Sequence, residues 1–502
     1  MSDGLVVGMD GPAGKAPAPA QPPAVTWPAR LLADPVHTRS TVFYLALAAA
    51  VGGTAVALAD LNALLVCVSL LACVFIALDF RIGVVLLILL MPVSASALFP
   101  HAIAGITGLN PLNLLLLGTL GACIVHRSLA PPAAPLVPAP LFWRYLLPIA
   151  LAGLLGSRHV ADIPAFFQAA ELINFDSAGS YLRDMMIKPL FMVLFAVLIG
   201  AALVRTRQPD RFLLPMLLSI WLMGLLTIVF VFVSGVSFSQ LSSSESRAFF
   251  APLGMHANDL GRCYAIAYAL LLFTLTGCTE HRQRLAILTT MGMVVLALIM
   301  TFSRGAFLGF AVVNVLFLIS RRHIVALVVG TLMLAGLVLL LPDAVFLRLQ
   351  AGWNGGMNAV SAGRIDNIWL PLLPDVWKHP VIGNGLGAIL WSPAMRGGNV
   401  LMVTHPHNAY LRAVLDMGFV GLALLLAYFA HVWRSFRRLY RDPAVTPLCR
   451  GLFEGAAVGL VAFLATGLVG SSLSPVPEQS FLWFAIGMMY GELARRRENG
   501  RG

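Results

Sequence analysis

Charge is scarce in this chain: Asp, Glu, Lys and Arg make up 11% of its 502 residues, against roughly 25% in an average soluble domain. That is too little to cover a soluble surface of this size. Cysteine is scarce as well. The six (Cys67, Cys73, Cys123, Cys263, Cys278 and Cys449) lie in or at the ends of apolar runs and form no CxxC pair, which argues against a disulfide framework or a zinc site. Alternating strands of about ten residues are missing, and with them a transmembrane barrel. No internal repeat is evident, such as the inverted repeats common in secondary transporters. The Ala/Pro-rich first forty residues contain no apolar core before Thr41, so they read as a disordered cytoplasmic tail rather than a cleavable signal peptide. The net charge of +11 is spread in short clusters between apolar runs. No solvated basic domain exists to hold a duplex, so no nucleic-acid partner is expected.

What the chain has in abundance is apolar length: 59% of it is hydrophobic, much of that in runs of about 17–22 residues, the length that crosses a bilayer as helix. Backbone groups in lipid must bond within their own segment. The expected fold class is therefore all-α: a polytopic integral membrane protein with about 14 (12–14) transmembrane helices. We place them at residues 41–59, 62–78, 82–99, 111–125, 145–156, 189–204, 212–233, 259–277, 285–302, 305–320, 324–341, 408–433, 451–469 and 481–493. The organisation read from this is a tail (1–40), an N-terminal helical region (41–341), a large outer loop (342–407), a C-terminal helical region (408–493) and a basic tail (494–502).

Alternating sides from a cytoplasmic N-terminus puts 22 of the 33 Lys and Arg inside and 11 outside. The short loops obey the positive-inside rule, which places both termini in the cytoplasm. The outer set is Arg158, Arg183, Lys188, Arg247, Arg262, Arg304, Arg348, Arg364, Lys378, Arg396 and Arg412. Three outer segments are long. Residues 157–188 contain IPAFFQAAELI, which reads as an amphipathic surface helix. Residues 235–258 carry Arg247, His256 and Asn258, and residues 342–407 hold Trp353, Trp369, Trp377 and Trp391.

Outward arginines run against the topological bias, so they carry information. Arg304, in TFSRGAFLGF, stands between two apolar runs. It reads either as a snorkelling anchor or as an anion site, its guanidinium adding donors to a positive helix end. Gly305 and Gly309 form a GxxxG that suits close helix packing. Arg364 in SAGRIDNIW and Arg247 in SESRAFF read either as surface charges or as part of a basic cluster facing an acidic ligand. GNGLG at 383–387 follows no strand and reads as a tight turn. In THPHNAYLRAVLDMGFVG (404–421), His405 and His407 sit where the large loop re-enters the membrane. Thr404 is the expected cap and Pro406 falls in the first turn. The positive helix end would keep such a histidine neutral and able to take a proton from a hydroxyl. A metal role for the HxH pair lacks a third ligand. Asp416 reads as a member of a buried polar network.

The blocks TFSRGAFLGF (301–310), GRIDNIWLPLLPDVWKHPVIGNGLG (363–387) and HPHNAYLRAVLDMGFVGL (405–422) together resemble the O-antigen ligase/O-antigen polymerase superfamily, in order, spacing and the large loop between the last two. SRAFFAPLGMHANDLG (246–261) is similar to a looser upstream Arg…Asn block of that family. The resemblance covers roughly the second half of the chain. It implies a membrane glycosyltransferase fold of the GT-C-like kind, seated in the bacterial inner membrane. It implies transfer of a glycan from undecaprenyl diphosphate to an acceptor hydroxyl at the periplasmic face, with no cofactor and no metal. The partners implied are the lipid-linked donor, and lipid A-core or a growing polysaccharide as acceptor, within membrane lipids. By the resemblance, Arg304 and Arg364 bind the leaving diphosphate with Arg247 beside them, and His407 is the general base with His405 the alternative. The competing class is a transporter or flippase for lipid-linked oligosaccharide, which predicts charges buried mid-helix and a repeated architecture.

Overall fold

The computed structural model describes residues 61–97, 110–129, 135–241, 245–321 and 355–498, with a few isolated positions besides. The helices expected at 41–59 and 324–341, and the start of the large loop, lie outside these residues, apart from isolated positions. By contacts the chain divides into Met1–Val68 and Ser69–Gly502, and the helical bundle that carries the functional residues belongs to the second unit.

The protein is an all-α, multi-pass membrane protein. Its main helices are α1 (Leu61–Leu78), α2 (Phe80–Leu90), α3 (Pro111–Ser128), α4 (Leu147–Gly156), α5 (Lys188–Val204), α6 (Leu213–Val233), α7 (Ala257–Gly277), α8 (His281–Met300), α9 (Arg304–Arg321), α10 (Leu370–Lys378), α11 (Ala409–Arg441), α12 (Pro447–Thr466) and α13 (Ser480–Glu498). Among the described residues, eight helical stretches are long and apolar enough to cross a membrane. The β structure there is a two-residue antiparallel pair, β1 (Ala102–Ile103) and β2 (Ile106–Thr107). The peptide IPAFFQAAELI, expected as one surface helix, forms only the four-residue helix Phe166–Ala169. Ala170 leaves helical geometry and Glu171 turns left-handed at φ 53°, which ends it. The basic tail expected from 494 continues α13 to Glu498, because Arg495 and Arg496 fold back to bond Glu492 at 3.0 and 3.1 Å.

The centre of the bundle is α7, packed most extensively on α12. The close approach is written into α12 by Gly451 and Gly455. A Cβ at either would lie 2.5 Å from a carbonyl of α7, at Phe273 and Ala269 respectively, so small residues one turn apart let the two backbones touch. Gly309 of α9 likewise sits against Ala265 of α7 and Thr466 of α12, the packing role expected for its GxxxG.

Helix α11 is broken near its start. Gly418 has φ 66° and ψ −176°, which frees carbonyls before it and amides after it, and the segment 380–387 takes up both. Asn384 and Gly385 donate their amides to the carbonyls of Leu415 and Asp416 (2.9 and 3.0 Å), while Phe419 and Val420 donate to Pro380 and Val381 (2.7 and 3.2 Å). The GNGLG turn makes this docking possible, because Gly383, Gly385 and Gly387 all take positive φ, a region closed to most side chains. The Asp416 carboxylate completes the seam by accepting the amides of Gly387 and Ala388 at 3.0 and 3.1 Å.

Candidate active site

Three helix starts and one loop meet at the end of the bundle where α7, α9 and α11 begin. His256 caps α7, its Nδ1 accepting from the Asn258 amide at 3.3 Å. The Asn258 side chain in turn accepts from Ser303 Oγ at 2.9 Å, which ties the start of α7 to the residue before Arg304. Arg304 opens α9, and its Nη1 donates to the Val360 carbonyl at 3.1 Å, four residues ahead of Arg364. Trp369, one turn past Arg364, donates its indole N–H to the Pro406 carbonyl at 2.8 Å. Pro406 is the residue between the two histidines. The SRG, GR and HPH blocks, distant in sequence, are therefore stitched together in pairs.

The histidines do not occupy the first turn of α11. The N-cap is Asn408, whose Oδ1 accepts from the amides of Tyr410 and Leu411 at 3.0 and 3.1 Å, so Thr404 and Pro406 lie ahead of the helix. Asn accepts two orphan amides in the geometry that a cap needs, and His407 just before it turns left-handed at φ 52°, which ends helical continuation upstream. Thr404 instead contacts His405 Nδ1 at 3.3 Å. The two imidazoles meet edge to face, centroids 4.2 Å apart. His405 is held well below the ordinary histidine range of 6.5, first by burial and then by His407, Arg412, Arg262 and His256 around it. Neutrality at this position is thus a matter of burial and neighbouring cations, rather than of the helix end.

Among the described residues, four non-glycine residues have positive φ, and three of them flank these blocks: Phe302, Ala362 and His407, with Glu171 the fourth. Such backbone costs roughly 1–3 kcal/mol each and persists where the surroundings over-determine it. Phe302 precedes Ser303-Arg304, and Ala362 with Gly363 (φ 77°) precedes Arg364, which is half-buried at the start of the next helical segment. Arg247 stands on the segment Glu245–Leu253 ahead of α7.

Sequence reasoning missed the most heavily bonded group here. Arg262, 4% exposed, lies one turn into α7 and pairs with Asp259 at 2.5 Å and with Glu478 at 2.9 Å, and its Nη2 also bonds Ser471 Oγ at 3.2 Å. Burial and the second carboxylate on the same guanidinium push the Glu478 carboxyl above its ordinary value. Arg412 joins the same wall, bonding Asp416 at 3.4 Å and the Ser471 carbonyl at 3.1 Å. The available signal was Asp259 at i−3 from an arginine inside an apolar run. Arg183 and Lys188, two of the basic residues in the expected outer set, both pair locally with Asp184.

The three stitched blocks coincide with a region of similarity to known proteins. Residues 285–426 match the family described as O-antigen ligase. A protein of Pseudomonas aeruginosa named O-antigen ligase is 25% identical over 134 residues, which is 26% of this chain and 30% of that protein. The chain thus spans about a third of the length of the relative it matches. The matched residues include Arg304, Arg364, His405 and His407, while Arg247, Arg262 and Glu478 lie outside them.

Proposed function

We propose that this protein transfers a glycan from undecaprenyl diphosphate to an acceptor sugar hydroxyl at the periplasmic face of the bacterial inner membrane, in O-antigen or related polysaccharide assembly. The observation that carries this reading is the stitching of Arg304, the Arg364 segment and the His405–His407 pair at one end of the bundle, within a ligase-family segment. Arg304 and Arg364, with Arg247 as a third candidate, receive the diphosphate. As the glycosidic C–O bond to it breaks, negative charge grows on the leaving phosphate, and preorganised guanidinium donors stabilise it. His407 takes the proton of the attacking hydroxyl, and His405 beside it is the alternative base. The cationic work is done by arginines, so the reaction in this form uses neither metal nor cofactor. Ligase activity, onto lipid A-core, is favoured over polymerisation by the name of the matched relative.

The test is reconstitution of the full chain with an undecaprenyl-diphosphate-linked glycan, supplied once with core lipid and once alone. Attachment to core marks a ligase, and lengthening of the donor alone marks a polymerase. His407→Ala and Arg304→Ala should each abolish product while the protein remains in the membrane, and chelation with EDTA should leave it unchanged. Normal product from His407→Ala moves the base to His405, and normal product from Arg304→Ala removes Arg304 from the site.

A further inference from the structure

Beside the GNGLG turn lies a cavity of about 410 Å³ that contains none of the groups assigned above. It is walled by the end of the α4 stretch, by α10, by residues 382–396 and by Leu415 of α11. One wall is Trp391, 2% exposed, with His159 stacked on it at a centroid distance of 5.5 Å and 19° between planes. Four fixed charges line the space: Asp162, Asp375, Lys378 and Arg396. They balance. Asp162 accepts from His159 at 3.0 Å. Asp375, 9% exposed, accepts from Lys378 at 2.9 Å and from the Ala394 amide at 3.2 Å. The carboxylates are committed and held in place, so a cationic ligand finds little to bind, and the single remaining guanidinium is a weak basis for a dianion. What the cavity offers is a mixed set of donors and acceptors, with the Asn384 amide among the lining groups, over an apolar and aromatic wall. Its volume falls in the range of small-ligand sites, roughly 300–1,000 Å³.

That combination fits an uncharged polyhydroxyl ring. Hydroxyls both donate and accept, so they satisfy neutral mixed partners without a charge, and the C–H face of a sugar packs on an apolar wall. The position is also apt. Leu415 lies six residues into α11 from Ala409, about 9 Å along the axis, and His407 stands two residues ahead of that helix start, a separation within the reach of a short oligosaccharide. We propose that this cavity is a saccharide subsite that holds a neutral sugar unit of the glycan substrate away from the reacting bond. The proposal rests on the glycan-transfer reading and names a part of the substrate that reading leaves open.

The experiment uses the full-length protein in nanodiscs and saturation-transfer NMR, with a panel of neutral tetrasaccharides of glucose, galactose, mannose and rhamnose at millimolar concentration and sialyllactose as the acidic comparison. At least one neutral member should receive saturation. Arg396→Ala and Asn384→Ala should each weaken its binding about fivefold, the loss of one hydrogen bond, while His407→Ala leaves it unchanged. Arg396 is exposed, so its variant keeps the test open even where Asn384→Ala disturbs the turn. Absence of any neutral binder, preference for sialyllactose, or binding unaffected by Arg396→Ala overturns the subsite. The two readings fail separately. Sugar binding without transfer from the lipid-linked donor sinks the transferase assignment, whereas transfer without sugar binding sinks the subsite alone.

Discussion

Arg262, one turn into α7, and Arg304, the first residue of α9, lie at the same end of the bundle, yet their surroundings differ. Arg262 sits on α7, whose apolar window is 78% buried, and Arg304 on α9, where the figure is 17%. A guanidinium inside a packed helix has to be neutralised, and Asp259 and Glu478 do so for Arg262. At the mouth of a peripheral helix no such demand exists. Among the described residues, Arg304 bonds only the Val360 carbonyl and no carboxylate, which leaves donors and charge for a ligand. Same residue type, same end of the bundle, different burial: the first is a strut, and the second keeps donors for the anion that the proposed function assigns to it.

The comparison can be broken most severely at the strut. Arg262→Met should leave the buried Glu478 carboxylate beside the half-buried Asp259 with no cation between them and cost about 3–5 kcal/mol, seen in denaturant unfolding of the detergent-solubilised protein. Adding Glu478→Gln should recover most of that loss. Arg304→Ala should leave unfolding within about 0.5 kcal/mol of wild type while transfer falls by about 10²–10³-fold. Arg304→Lys should restore only part of it, because an ammonium lacks the planar fork. An Arg304→Ala protein that unfolds as Arg262→Met does would erase the distinction between the two. Gly418→Ala tests the seam on which both sites lean. Its Cβ would lie 2.2 Å from the Val381 carbonyl at a left-handed φ, costing roughly 1–3 kcal/mol for the backbone alone, and limited proteolysis should then nick residues 380–387. The smallest effect concerns pH. The unfolded chain protonates His405 near 6.5, whereas the folded protein resists protonation until well below that. Stability should therefore fall as pH drops below 6.5, by at most about 1.4 kcal/mol per pH unit. His405→Gln should flatten that slope in melting curves taken on either side of pH 6.5, and an unchanged slope would move the acid sensitivity to another group.

Much of this was legible because hydropathy and short motifs are local signals. Apolar length placed the described helices to within a few residues in most cases, and the bias of basic residues singled out Arg304 and Arg364 for attention. It did not separate Arg262 from Arg304, since the carboxylate that distinguishes them, Glu478, lies 216 residues away from Arg262. The start of α11 was placed to within a residue, but its cap was misread as Thr404, because Thr404 and Asn408 are both competent caps and only the left-handed turn at His407 decides between them. GNGLG was legible as a turn, but its docking into a break at Gly418 was not, since nothing in either sequence names the other. Asp416 was readable as a polar-network residue, without its partners.

The four backbone bonds between residues 380–385 and 415–420 also fix how force travels through this end of the bundle. They act as a weld joining residues 380–387 to the first turns of α11. A displacement of that segment transmits directly to the two turns that follow His407. The histidines therefore ride with residues 380–387 rather than with the membrane-embedded remainder of α11, whereas among the described residues Arg304 is held to Val360 by a single side-chain hydrogen bond.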